Sequence, residues 1–70
     1  MDEGRGRRDL AEMARLSYER RLTFGSGGNL SLRLDERTIL ITPSGTIKGL
    51  LSPEQMIRVD LQTGRAEGGR

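Results

Sequence analysis

Two glycine-containing turns carry the residues best suited to chemistry: Gly25-Ser26-Gly27-Gly28-Asn29 and Thr42-Pro43-Ser44-Gly45. Closely spaced glycines let backbone N–H groups point together into a concave nest, and such nests bind anions. Ser26, Asn29, Ser44 and Thr46 would add side-chain donors. A phosphate is the natural guest. Neither turn is a nucleotide loop of known pattern. The dinucleotide fingerprint needs a glycine where Leu30 stands, and the Gly-Lys-Ser/Thr of nucleotide hydrolases is absent. On residue types alone a plainer reading carries more weight. Gly25 could simply stop a helix, and Pro43-Ser44-Gly45 could simply be a tight bend.

The remaining candidates are weaker. Asp35 and Glu36 could pair as general acid and base, but they sit in a stretch that reads as a solvated turn. Asp60 reads as a surface residue of a strand. Lys48 could contact a phosphate, although a lone lysine of this kind is usually exposed to solvent. The chain has no His and no Cys, so it holds neither a Ser-His nor a Cys-His nucleophile pair and no ordinary zinc ligand set.

The elements that must position these turns follow from periodicity. Leu10, Ala14, Tyr18 and Leu22 recur every four residues, which predicts a helix over 9–23. Asp9 is its expected N-cap, with Glu12 three positions on. Arg20 and Arg21 suit its last turn, and Gly25 its C-terminal stop. Residues 1–8 are expected to be disordered. Leu30, Leu32 and Leu34 then alternate with polar residues, predicting a strand with one apolar face. Asp35-Glu36-Arg37 suits a hairpin turn. The run Thr38-Ile39-Leu40-Ile41-Thr42 predicts a second strand, antiparallel to the first and covered on both faces. Ser52-Pro53-Glu54-Gln55 carries the signature of a capped single helical turn. Ile57, Val59 and Leu61 predict a third strand, and Arg65 to Arg70 reads as a polar tail. One helix covers only one face of such a sheet. The second face of Ile39-Leu40-Ile41 is therefore left wanting cover.

The chain has 70 residues and can form at most one small domain. A chain this short buries only ~60% of the surface its unfolded form exposes. Twelve Arg and Lys face ten Asp and Glu, for a net charge of +2. The basic residues are interleaved with acidic ones, unlike a nucleic-acid arm. No apolar run reaches the length of a membrane span, and no signal peptide is apparent at the N-terminus. The expected location is cytoplasmic.

The ordered set of motifs resembles a known family. Gly28-Asn29-Leu30-Ser31-Leu32-Arg33 is followed by Ile41-Thr42-Pro43-Ser44-Gly45, then by Leu51-Ser52-Pro53-Glu54-Gln55-Met56, then by Val59-Asp60-Leu61 and Gly64. From about Asp9 to Gly68 the chain resembles the N-terminal part of the class II aldolase/adducin family. That family includes L-fuculose-phosphate aldolase, L-ribulose-phosphate 4-epimerase and the adducin head domain. The resemblance implies an α/β fold: an N-terminal fragment, one helix plus about three antiparallel strands over 9–70, of a three-layer α/β/α domain. It implies a metal-dependent aldolase acting on a ketose phosphate through an enediolate, with a divalent metal, expected to be zinc, and a homotetramer. By motif, Gly28 and Asn29 match one part of the substrate-phosphate site, Ser44 and Gly45 the other, and Ser26 a hydroxyl beside them. The family's Ser-Ser-Glu and His-x-His motifs fall after the segment resembling Ala66-Glu67-Gly68, and this sequence ends at Arg70 without them. The expectation is the front part of such an enzyme, without catalytic residues or metal ligands of its own and inactive alone. The alternatives are a non-catalytic adducin-like binding module or an inactive remnant. A small basic RNA-contacting protein is a more distant reading, because only Phe24 and Tyr18 are available for stacking.

Overall fold

Asp2 caps the first helix: its carboxylate accepts the Arg5 N–H at 3.0 Å, satisfying one of the orphan donors of the first turn. The helix, α1, spans Glu3–Glu19 in a computed structural model that describes residues 1–21 and 29–68. It therefore starts six residues earlier than Asp9, and the segment expected to be disordered forms its first turns. An ion pair in the added turns favours this extension: Arg7 meets Glu3 at 2.9 Å, while Arg15 bridges Glu12 and Glu19 further along the helix. Its buried stripe is Gly6, Leu10 and Ala14. Tyr18, placed in that stripe by periodicity, is 39% exposed. Arg20 is the C-cap, and Arg21 takes the left-handed conformation (φ 60°) that ends the helix. Leu22 and the proposed stop Gly25 lie outside the described residues.

Four strands follow: β1 Ser31–Arg33, β2 Thr38–Ile41, β3 Ile57–Asp60 and β4 Ala66–Gly68. They form one antiparallel sheet in the order β1-β2-β3-β4. The β1–β2 hairpin turns at Asp35-Glu36-Arg37 as expected, closed by the Leu34 N–H to Thr38 O bond at 2.9 Å. The fourth strand corrects the reading of residues 65–70 as a tail. All three of its residues are exposed, so it has no apolar alternation to betray it. It is held by backbone pairing to β3, with Gly64 (φ 77°) allowing the turn between them.

Leu32 and Leu40 face each other across β1 and β2 on the side toward α1. There Leu10, Leu34, Leu40 and Met56 form the buried core, flanked by Ala11, Leu30, Leu32 and Leu51. Each large apolar side chain fully removed from water contributes about 1.5–3 kcal/mol. The other face carries Ile39 and Ile41 of β2 opposite Val59 and Ile57 of β3, all half-buried. Among the described residues, no helix packs on that face, matching the incomplete cover expected for this run.

Two short 3-10 turns, Lys48–Leu50 and Pro53–Gln55, link β2 to β3. The second is the expected capped turn: the Gln55 side chain accepts the Ser52 N–H at 2.8 Å. The first packs on α1, where Gly49 is so close to Tyr18 that an added Cβ would lie 2.5 Å from the ring.

Candidate functional site

The start of β1 and the end of β2 are neighbours, because Ser31 pairs with Ile41 in antiparallel register. One step further, the Leu30 N–H donates to Thr42 Oγ1 at 3.0 Å and the Thr42 N–H donates to Leu30 O at 3.0 Å. This double tie joins Asn29, next to Leu30, to the turn that follows Thr42. Asn29 and the turn that follows Thr42 thus lie at the same end of the sheet. Of the five proposed site residues, Asn29, Ser44 and Gly45 are described and are exposed there. Ser26 and Gly28 lie outside the described residues.

The second loop is built on buried anchors. Thr42 is 1% exposed and Pro43 is buried, while Ser44 and Gly45 project to solvent. Ser44 and Gly45 are the central residues of the turn, and Pro43 occupies its first position. Gly45 has φ 73°, as the third position of a type II turn requires. The Thr46 hydroxyl donates to Pro43 O at 2.6 Å and closes the loop. It is therefore engaged within the loop rather than held out to a guest. The N–H groups of Ser44 and Gly45 donate to no acceptor among the described residues. Adjacent exposed N–H groups of this kind can receive an anion from solvent.

Lys48 overturns the expectation of an exposed side chain. It is 0% exposed, and its ammonium donates to Thr46 O at 3.0 Å, beneath the same loop. Sequence reasoning missed this and the clamp at Thr42. Thr42 continues the buried parity of Thr38 and Leu40, a signal that was available. Lys48 is enclosed by non-local packing and left no such signal.

The carboxylates at the other end of β2 do structural work. Asp35 Oδ1 accepts the Arg37 N–H at 2.8 Å, which holds its carboxyl below the ordinary value. Asp60 Oδ1 accepts the Gln62 and Thr63 N–H groups at 2.8 and 3.2 Å, with Arg37 on its second oxygen at 3.1 Å. Those bonds lower its pKa as well. An open groove of about 680 Å³ lies between them, lined by Asp35, Glu36, Arg37, Thr38, Arg58 and Asp60. A general acid at neutral pH needs a raised pKa, so Asp35 and Asp60 are suited to holding turns rather than to giving up a proton.

The described residues do not build a metal centre. The chain has no His or Cys, and no group of three potential ligands clusters among the described residues.

A family profile described as Class II Aldolase and Adducin N-terminal domain matches residues 8–70. The chain belongs to that family. A 3-oxo-tetronate 4-phosphate decarboxylase of Haemophilus influenzae is 42% identical over 60 residues, covering 86% of this chain and 28% of the relative. An L-fuculose phosphate aldolase of Methanococcus maripaludis is 43% identical over 53 residues, covering 76% and 29%. A methylthioribulose-1-phosphate dehydratase of Pectobacterium atrosepticum is 47% identical over 45 residues, covering 64% and 22%. The crystal structure of YgbL from Escherichia coli superposes with a TM-score of 0.85 at 33% identity, covering 96% of this chain and 32% of that one. The class II aldolase-like α/β fold is thereby established, with four strands where about three were expected. The chain spans less than a third of the length of these relatives. Members of this family are generally metal-dependent.

Proposed function

We propose that this chain supplies part of the substrate-phosphate site of a class II aldolase-family enzyme acting on a phosphorylated sugar or sugar acid. The observation that carries the reading is the reciprocal tie between Leu30 and Thr42, which puts Asn29 at the same end of the sheet as Ser44 and Gly45, whose N–H groups have no acceptor among the described residues. The relatives' names support it. They describe a decarboxylase, an aldolase and a dehydratase, yet each names a phosphorylated compound. Three different reactions on phosphorylated compounds support a phosphate-binding role for the region that these relatives share with this chain. Within that reading, Asn29, Ser44 and Gly45, with Ser26 and Gly28 from the first loop, bind the phosphate. Within the same reading the reaction is aldol cleavage of a ketose phosphate, in the cytoplasm. Zinc as the ion and a tetramer as the assembly rest on the family resemblance alone.

The test is a titration of the protein at its native length with inorganic phosphate, followed by amide NMR. Shifts concentrated at Asn29, Ser44 and Gly45, and weakened by Ser44→Ala, are expected. Saturating phosphate without movement of those amides would sink the reading. A turnover assay on ketose phosphates, tetronate phosphates and methylthioribulose phosphate then separates aldolase from decarboxylase and dehydratase.

A further inference from the structure

The donors proposed for the phosphate are all neutral, yet a phosphoryl dianion is bound best where a positive charge answers it. Lys48 is the chain's only lysine and its side chain is completely buried. An ammonium has three donors. The described partner of this one is Thr46 O at 3.0 Å. All ten acidic residues of the chain lie in described segments, and their ion pairs are with Arg5, Arg7, Arg15, Arg37 and Arg58. No Asp or Glu of this chain therefore neutralises Lys48. Enclosing a charge without a carboxylate is unfavourable for folding, so its retention beneath this loop calls for an anion.

Thr46 follows Ser44 and Gly45 directly, and its hydroxyl is tied back to Pro43 O at 2.6 Å. The ammonium lies on the inner side of that loop, while Ser44 and Gly45 face solvent. Burial keeps the ammonium from touching a guest and also keeps water from screening it, so its field reaches through the loop at low dielectric. We propose that Lys48 is a positioning residue for a phosphoryl group: it fixes the Pro43–Thr46 turn through the Thr46 carbonyl and supplies the positive charge that the exposed donors lack. This rests on the phosphate-site reading above, and it assigns the charge of that site to a residue the guest never contacts.

The prediction has opposite signs on binding and stability, which a merely structural lysine would not show. In the protein at native length, Lys48→Met keeps the side-chain length and removes the charge. It should weaken inorganic phosphate binding by about ten-fold or more, while the melting temperature stays level or rises because an enclosed charge is gone. Wild-type binding that Ser44→Ala weakens and Lys48→Met leaves unchanged would overturn the role of Lys48 and leave the phosphate site standing. Absence of phosphate binding by the wild type overturns both. Should Lys48→Met fail to fold, the wild type decides the matter: the Lys48 15Nζ resonance should shift as phosphate saturates, and an unmoved resonance refutes the proposal.

Discussion

Leu30 and Thr42 hold each other twice, N–H to hydroxyl and N–H to carbonyl, both at 3.0 Å, where β1 begins and β2 ends. A main-chain pair alone would align the strands. The added hydroxyl bond fixes the chain entering β1 against the chain leaving β2, and so fixes Asn29 against Ser44. Thr42→Val removes the acceptor and keeps the shape. The Leu30 N–H is then left without its partner beside a buried site, which costs about 1–3 kcal/mol. Urea midpoints should report that loss, and phosphate affinity should fall with it. Thr42→Ser should restore both, and a Ser variant no better than Val would show that the hydroxyl is not what matters.

Gly6 and Gly4 should respond to alanine with opposite signs. Both lie inside α1, where alanine is favoured over glycine by about 0.8–1 kcal/mol. At Gly4 an added methyl meets only Asp2 Oδ2 at 3.4 Å and an Arg8 nitrogen at 3.5 Å. Gly4→Ala should therefore stabilise by most of that amount. At Gly6 the methyl would lie 2.4 Å from Leu34 Cδ2, 3.1 Å from Leu32 Cδ2 and 3.2 Å from Leu40 Cδ1. The helix can approach β1 and β2 only because nothing projects there. Gly6→Ala should cost about 1–3 kcal/mol through forced repacking. Equal thermal shifts for the two variants would mean that α1 does not rest on the sheet as described.

These two glycines also explain why the helix start was illegible in the sequence. Composition marked residues 1–8 as loose, because Gly4 and Gly6 both lower helix propensity and Asp9 offers a plausible cap. Asp2 won because a helix starting there gains the Arg7–Glu3 pair and lets Gly6 settle over Leu34. Those gains are tertiary and invisible to a local pattern. The alternation of Leu30, Leu32 and Leu34, the hairpin at Asp35 and the capped turn at Ser52 were legible because each is fixed by near neighbours. β4 was not, since Ala66, Glu67 and Gly68 bury nothing and are selected by pairing with β3 alone. Motif order singled out Asn29, Ser44 and Gly45, and all three are exposed at one end of the sheet. The charge at Lys48 could not be placed, because Tyr18 and Gly49 meet only in three dimensions.

Arg7 tests the early helix start directly. Its guanidinium donates to Pro53 O at 3.2 Å and Met56 O at 2.9 Å while pairing with Glu3. It joins the first turns of α1 to the capped turn ahead of β3. Arg7→Met retains the apolar stem and removes three charge-assisted bonds. With the side chain only 20% exposed, these bonds are partly shielded from water. The variant should lose about 1.5–3 kcal/mol, and amide exchange should quicken at Arg5, Gln55 and Met56 together. Unchanged exchange at these amides would place residues 3–8 outside the folded helix.

Asp60 gives the stability of the fold an acid limb. Its carboxylate is stabilised first by the Gln62 and Thr63 N–H groups, then by Arg37, and its pKa is lowered in the folded state. A depressed folded pKa means that the unfolded chain takes up the proton first, at about pH 3.9. The stabilisation is therefore complete above that value and is lost as pH falls through the folded pKa. Asp60→Asn keeps an oxygen for the two N–H groups and removes the charge. It should be less stable than wild type at pH 6, with the gap closing below about pH 4 as the wild-type carboxyl protonates. Added salt should narrow the part owed to Arg37, whose side chain is 61% exposed, and leave the backbone part in place. Denaturant midpoints measured from pH 2 to 7 at two salt concentrations would read both effects. Parallel pH curves for the two proteins would show that the Asp60 charge does not hold the β3–β4 turn.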